Sequence, residues 1–147
     1  MSVPSAKLTA VTLGVRDLPA SLRFYEALGF KRKYRATGDE IAFLDGAGVV
    51  VALWDWNKLA QDCAMPAGDQ HGGFRGATFA WNCITPAEVD AAFALAEKAG
   101  ARVLRRPEKT DYGGYRGYFA DPDGHIWEIV QAPGFGYTED GRIILPE

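Results

Sequence analysis

Apolar and polar residues alternate with a period of two in several short stretches of the chain, a pattern typical of half-buried β-strands. In the first third of the chain, these stretches are residues 8–15, 30–35, 40–45 and 49–54. After the first of them, Asp17 precedes apolar residues at helical spacing, and Gly29 follows the last of these residues. An N-capping carboxylate at the start and a glycine at the end predict one helix. The first third therefore reads as a strand, a helix and three strands.

The same order of patterns returns in the second half of the chain. Residues 76–83 alternate as a strand, and Thr85-Pro86-Ala87-Glu88 forms a capping box that predicts a helix ending at Gly100. Residues 102–106 form the next predicted strand. Residues 113–130 then predict a hairpin whose tight turn is Asp121-Pro122-Asp123-Gly124, because proline presets φ and glycine accepts a positive φ.

An internal repeat links the two halves. Residues 43–53 align with residues 119–129 at a constant offset of 76, with identical Phe, Asp and Gly at three positions. The fold is therefore predicted as α+β, with two tandem βαβββ modules that form a concave mixed sheet with the helices outside. The one helix of each module can cover only one face of its sheet. The other face must therefore be covered by the second module, by another chain or by a ligand. The predicted organisation is a single domain over 1–147, divided into module 1 (about 7–54), a connector (55–75), module 2 (about 76–131) and a tail (132–147).

The irregular segments carry two further expectations. In the connector, residues 57–63 have the pattern of one or two helical turns, and the whole segment reads as a connector or a lid. In the tail, residues 138–145 predict a small hairpin, and Phe135 and Tyr137 are candidates to pack on a neighbouring subunit.

Composition narrows the class of protein. The net charge of −3 means that basic residues are not in excess, so we expect neither nucleic acid nor an anionic membrane as a partner. No stretch is long and apolar enough to span a bilayer, and the first residues lack the apolar region of a signal peptide. Cys63 and Cys83 lack CxxC spacing and are expected to be reduced thiols. These features predict a cytoplasmic protein.

Glu128 is the main candidate for chemistry. It shares one face of the last predicted strand with Ile126 and Val130, so it is a lone carboxylate among apolar neighbours. Three roles remain open: a metal ligand with an unrecognised partner, a general base or ligand anchor, or a structural group bonded to a nearby Tyr or Arg. The candidate partners are Tyr115, Arg116 and Tyr118.

Aromatic residues are abundant where the strands would line a cleft. Trp54 and Tyr118 are predicted either to line a pocket or to belong to the core, whereas Trp81 and Trp127 point to the helix face and are predicted core residues. Arg116 shares a strand face with Tyr118, where it is either an anion clamp or a surface residue. The predicted ligand-binding set is Trp54, Thr78, Tyr115, Arg116, Tyr118 and Glu128.

Two segments resemble the vicinal oxygen chelate superfamily, which includes glyoxalase I, extradiol dioxygenases, and fosfomycin- and bleomycin-resistance proteins. They are Val15-Arg16-Asp17-Leu18 with Phe24-Tyr25-Glu26-Ala27-Leu28-Gly29-Phe30, and Tyr118-Phe119-Ala120-Asp121-Pro122-Asp123-Gly124-His125. The resemblance extends over about residues 8–131. It implies the fold predicted above, a homodimer and a small-molecule ligand.

The resemblance also implies where a divalent metal would be held: one residue from the first and one from the fourth strand of each module. Those positions are Ala10, Ala52, Thr78 and Glu128, of which Glu128 alone is a ligand type. His71 falls in the connector, and His125 is out of phase with Glu128. We therefore expect no metal cofactor, with a divalent metal as the alternative.

Two hypotheses for function follow. The first is a metal-independent protein that binds a small, partly apolar molecule in an aromatic-lined cleft. The alternative is a glyoxalase-like lyase, isomerase or dioxygenase-related enzyme that uses Glu128 as base or residual metal ligand.

The four positions implied for a metal, Ala10, Ala52, Thr78 and Glu128, lead to a prediction about the metal content of the purified protein. Because Ala10 and Ala52 offer no donor atom, purified protein is expected to lack stoichiometric Zn, Ni, Mn or Fe. Inductively coupled plasma mass spectrometry measures this directly. About one metal per chain in the wild type, lost in Glu128→Ala, would contradict the expectation.

Overall fold

The computed structural model describes residues 2–70 and 72–147, so His71 lies outside the described residues. The first repeat contains one helix and four strands, with a short 3-10 turn at Arg35–Thr37. In chain order its elements are β1 (Ala10–Val15), α1 (Leu18–Ala27), β2 (Lys31–Lys33), β3 (Ile41–Asp45) and β4 (Val50–Asp55). The predicted strands are all present, and most are shorter than the apolar patterns suggested.

The second repeat follows a short helix and a loop. Its elements, with that helix first, are α2 (Trp56–Asp62), β5 (Phe79–Asn82), α3 (Pro86–Lys98), β6 (Arg102–Lys109), β7 (Tyr115–Ala120) and β8 (Ile126–Gln131). The tail adds a two-stranded hairpin, β9 (Gly136–Tyr137) and β10 (Ile143–Ile144).

The two repeats build two four-stranded mixed sheets of identical topology. Their strand orders are β1-β4-β3-β2 and β5-β8-β7-β6. In each sheet the first and fourth strands are parallel and the other neighbours are antiparallel. This confirms the predicted α+β fold of two βαβββ modules, and it leaves β1 and β5 as edge strands of separate sheets.

Local signals in the sequence set the helix ends. The Asp17 carboxylate accepts a hydrogen bond from the Ala20 N–H at 3.0 Å, and Gly29 takes φ of +102° just after α1 ends. Thr85 accepts from the Glu88 N–H at 3.2 Å. The Glu88 side chain accepts from Ile84, one residue before the cap, so the reciprocal bond of the capping box is displaced by one position.

The hydrophobic core runs through both repeats as one cluster. Helix α1 covers the first sheet, yet its aromatic rings also reach the second. The Tyr25 ring lies 5.9 Å from that of Trp127, and the Phe24 ring lies 6.3 Å from that of Phe119. The buried aromatic contact between α1 and the second sheet therefore holds the two repeats together.

A buried hydrogen-bond network lies inside this contact. Tyr25 is fully buried, donates its hydroxyl proton to Asp121 Oδ2 at 2.5 Å, and accepts from the Trp127 indole N–H at 3.0 Å. Asp121 Oδ1 accepts from the backbone N–H groups of Asp123 and His125, at 2.9 and 2.8 Å. Burial raises the pKa of both Tyr25 and Asp121 above their usual values. The network therefore fastens the β7–β8 turn to α1.

No helix formed by residues 2–70 and 72–147 has the length and apolar character needed to cross a membrane.

The Tyr25 hydroxyl offers a direct test of the contact between the repeats. Tyr25→Phe leaves the Trp127 N–H without an acceptor and removes a donor from Asp121, so the free energy of unfolding should fall by about 2–4 kcal/mol. Urea unfolding followed by tryptophan fluorescence measures the change. Tyr115→Phe is the matched control, because that hydroxyl donates to Asp90 at an exposed position and its loss should cost less than about 1 kcal/mol. Equal losses in the two variants would contradict the assignment.

Candidate functional site

Side-chain alternation along β8 separates core residues from outward-facing ones. Trp127 and Ile129 are buried in the core, whereas Glu128 between them points to the opposite face and is partly exposed. In the sheet register, Glu128 lies between Tyr118 on β7 and Ala80 on β5. The carboxylate therefore stands on the sheet face that no helix of the second repeat covers.

Tyr118 is the group that contacts Glu128. Its hydroxyl donates to Glu128 Oε2 at 2.8 Å. Partial burial raises the pKa of Tyr118, and the hydrogen bond to the Glu128 carboxylate raises it further, so the phenol stays protonated and keeps donating at neutral pH. Of the three candidate partners predicted for Glu128, namely Tyr115, Arg116 and Tyr118, the one that forms a hydrogen bond with it is Tyr118.

Arg116 extends the site along β7. Its guanidinium lies 5.7 Å from the centroid of the Tyr118 ring and 3.5 Å from Glu108 Oε1 on β6. The Arg116 side chain is only 16% exposed, so its stem covers part of the sheet face. Guanidinium, phenol and carboxylate thus form one row of polar groups on this face.

The second oxygen of Glu128 is available for chemistry. Among the described residues, the one hydrogen bond to this carboxylate comes from Tyr118 and occupies Oε2. Oε1 can therefore accept a donor group of a ligand, or take a proton from a bound molecule.

Trp54 occupies a related place on the other sheet. It shares a face of β4 with Ala52, which pairs with Thr12 on β1 and Phe43 on β3. Trp54 and Glu128 belong to different sheets, and no hydrogen bond within the described part of the chain joins them. Trp54 therefore belongs to the first repeat and Glu128 to the second.

The remaining predicted site residues lie elsewhere. Tyr115 faces α3, where its hydroxyl donates to Asp90 at 2.8 Å. Thr78 is exposed and directly precedes β5. It is the one predicted site residue that lines a cavity of about 580 Å³ between β1 and β5, of which Glu128 is not a lining residue.

The positions implied for a metal do not fit one. Ala10 and Ala52 carry no donor atom, Thr78 is an exposed hydroxyl, and Glu128 alone is a ligand type. Within residues 2–70 and 72–147, no three His, Cys, Asp or Glu side chains are grouped so that they could hold an ion. A polarising metal needs about three protein ligands, and these four positions supply one.

A cluster at the end of β1 was not found from the sequence. The His125 ring stacks on Trp56 of α2 at 5.9 Å, and the Arg75 guanidinium lies 4.6 Å from the centroid of the Trp56 ring. His125 Nε2 lies 2.8 Å from the Gly14 carbonyl oxygen, and Arg75 donates to the Asp123 carbonyl at 2.7 Å. The connector is therefore fastened to the β7–β8 turn. An aromatic residue at the start of the connector was the one available sequence signal.

Comparison with known proteins agrees with this architecture. Residues 7–129 match the family model of the Glyoxalase/Bleomycin resistance protein/Dioxygenase superfamily. A protein of Mycolicibacterium smegmatis described as uncharacterized is 33% identical over 97 residues, which cover 66% of this chain and 70% of the relative.

Solved structures show the same fold. A glyoxalase-related enzyme from Fulvimarina pelagi superposes with a TM-score of 0.85 at 34% identity, covering 96% of this chain and 99% of that one. A lactoylglutathione lyase from Agrobacterium tumefaciens gives a TM-score of 0.65 at 22% identity, covering 88% and 96%, and shows a shared fold alone. The chain belongs to the Glyoxalase/Bleomycin resistance protein/Dioxygenase superfamily.

Proposed function

We propose that this protein binds a small, partly apolar molecule on the sheet face that carries Glu128, without a resident metal. The observation behind the proposal is the Tyr118–Glu128 hydrogen bond, which orients the carboxylate and leaves Oε1 open. A flat molecule with an N–H or O–H group fits this arrangement, because the carboxylate can accept from it. Arg116 and the Tyr118 ring supply a guanidinium and an aromatic surface for the rest of the ligand.

An enzymatic role is the second candidate, in which Glu128 takes a proton from a bound substrate in a lyase or isomerase reaction. The same open oxygen favours it, because a general base needs a free lone pair within reach of the proton that it removes. The partners proposed are a small molecule and a second copy of the chain, in the cytoplasm. Nucleic acid and membranes are not proposed as partners.

A fragment titration tests the role of Glu128. The probes are flat aromatic molecules with N–H donors, such as indazoles and aminopyridines, followed by the indole N–H signals of 15N-labelled protein. Glu128→Gln should weaken the binding of these probes about tenfold, because it exchanges a charge-assisted acceptor for a neutral one. Turnover of any probe that the wild type converts should be lost in the same variant if Glu128 is a base.

Glu26→Gln is the matched control, since Glu26 is an exposed carboxylate on α1, outside the proposed site. It should leave probe affinity within about twofold of the wild type. If Glu128→Gln binds and turns over every probe as the wild type does, Glu128 is structural and the proposed site is wrong.

Assembly is a separate proposal, motivated by the face of the first sheet opposite α1. This face presents Val50, 38% exposed, with the exposed Ala10 and the partly exposed Trp54. An apolar sheet face of this kind is commonly covered by another subunit.

Sedimentation velocity at concentrations on the order of tens of micromolar should therefore show a dimer. Val50→Asp should shift the distribution toward monomer, because it places a charge in the proposed interface. Val3→Asp is the control, at a residue that is 92% exposed near the N-terminus. A wild-type monomer at these concentrations would contradict the assembly proposal and would leave the test of Glu128 intact.

A further inference from the structure

The cavity between the two sheets adjoins the Glu128 face at Ala80, the β5 neighbour of Glu128, but Glu128 itself does not line it. Its volume is about 580 Å³, which falls within the range of small-molecule sites. Edge strands β1 and β5 form its two sides, through Val11 and Leu13 on one and Phe79 and Trp81 on the other. Glu128, Tyr118, Arg116 and Trp54 are not among its lining residues.

One wall of the cavity is aromatic. The Phe30 ring lies 5.7 Å from Trp127 and 6.4 Å from Trp81, and Phe79 lies 5.5 Å from Trp127. All four rings line the cavity, and Val11, Leu13 and other aliphatic side chains form the facing wall. Such a lining favours an apolar ligand body, and ring faces also attract a cation.

The charged groups at the cavity all have one sign. Its charged lining residues are Asp45 and Asp140. Arg142 pairs with Asp140 at 3.3 Å, so that charge is compensated. Asp45 Oδ1 accepts from the Ala47 N–H at 2.9 Å. Lys31 and Val50 stand opposite Asp45 in the sheet register, and within the described part of the chain Asp45 forms no ion pair.

The C-terminal end of α1 adds further negative potential at the cavity. Leu28 and Gly29, which follow the last helical residue, line the cavity. A helix C-terminus carries the negative end of the helix dipole, which favours positive charge nearby. Carboxylate, helix end and ring faces therefore all favour a cationic group.

The tail hairpin borders the same cavity. Asp140 and Gly141, in the turn between β9 and β10, belong to its lining. The hairpin is held on one side by the hydrogen bond from Asn82 Nδ2 to the Tyr137 hydroxyl at 3.3 Å. On the other side, the Arg142 side chain lies against Gly48, where it occupies the space a β-carbon would need. The hairpin therefore bridges the β3–β4 turn and β5.

We propose that this inter-sheet cavity is a second ligand site, which binds a small molecule with an aromatic or aliphatic body and one cationic end. The apolar body lies among Phe30, Trp81 and Trp127. The cationic end lies at the rim of the cavity, where Asp45 and Asp140 are lining residues. This site is distinct from the one proposed at Glu128, because Glu128, Tyr118 and Arg116 do not line the cavity.

Three probes of equal length separate charge from apolar burial: 4-phenylbutylamine, 4-phenylbutan-1-ol and 4-phenylbutyrate. Binding is measured by titrating 15N-labelled protein and following the four tryptophan indole N–H signals, assigned by single Trp→Phe variants. The signals of Trp81 and Trp127 should shift, and those of Trp54 and Trp56 should not. The amine should bind about tenfold more tightly than the alcohol, and the carboxylate should bind most weakly.

Variants locate the site. Asp45→Asn should reduce the affinity for the amine to that for the alcohol and leave the alcohol unchanged. Leu8→Trp fills the cavity from an N-terminal position that is 67% exposed, so the fold should tolerate it, and binding of all three probes should fall at least about tenfold. Val49→Phe is a second blocking variant, from the β3–β4 turn, with the same expected loss.

Two controls separate this site from the one at Glu128. Val3→Trp places an indole in the same N-terminal segment away from the cavity lining and should leave binding unchanged. Glu128→Gln should also leave it unchanged. The proposal is overturned if no probe shifts Trp81 or Trp127 in the millimolar range, if the carboxylate binds most tightly, or if Glu128→Gln abolishes binding while Asp45→Asn does not.

Discussion

The structure depends on one buried contact, in which Tyr25 of α1 bonds Asp121 and Trp127 of the second repeat. A carboxylate, a phenol and an indole N–H are costly to bury singly, and here each satisfies another. The Tyr25–Asp121 bond joins residues 96 positions apart in the chain. It therefore fixes the position of α1 on the second sheet as well as on its own, and the two repeats share one core.

The same turn also organises the far end of β1. Asp123, which is buried, accepts from the Arg16 backbone N–H at 2.9 Å and forms an ion pair with the Arg16 side chain. His125 and Arg75 extend the contact to Gly14 and the connector. A four-residue turn thus supports strand β1, helix α1 and the connector together. Polar bonds between buried or half-buried groups give this junction a defined geometry, which apolar contact alone specifies less well.

Packing the repeats through their helix sides has two consequences for function. The opposite sheet faces, with Glu128 on one and Trp54 on the other, are left without a helix to cover them. A cavity also remains where edge strands β1 and β5 approach each other, because Val11 and Leu13 on one strand face the larger Phe79 and Trp81 on the other without filling the space between. The fold thus leaves two uncovered sheet faces and one inter-sheet cavity, each with aromatic side chains.

The sequence by itself determined the elements of the fold, the repeat and the family. Alternation, the caps at Asp17 and Thr85, and the Asp-Pro-Asp-Gly turn are local signals, and local geometry is enough to read them. The sequence also predicted that Glu128 lies on the face away from the core, with Tyr118 among its possible partners. This was possible because neighbouring strands of a hairpin have a nearly fixed register. Tyr115, one residue out of phase with Arg116, faces α3 in the structure, as strict alternation requires.

Tertiary structure alone decided how the two repeats meet. Three features depend on residues that are far apart in the chain: the Tyr25–Asp121 hydrogen bond, the stacking of His125 on Trp56, and the cavity lined by Asp45. Periodicity gives the face on which a side chain lies, but it does not give the element that packs against that face. For this reason the sequence assigned Trp81 and Trp127 to the core, whereas the structure also shows them lining a cavity at the junction between the sheets.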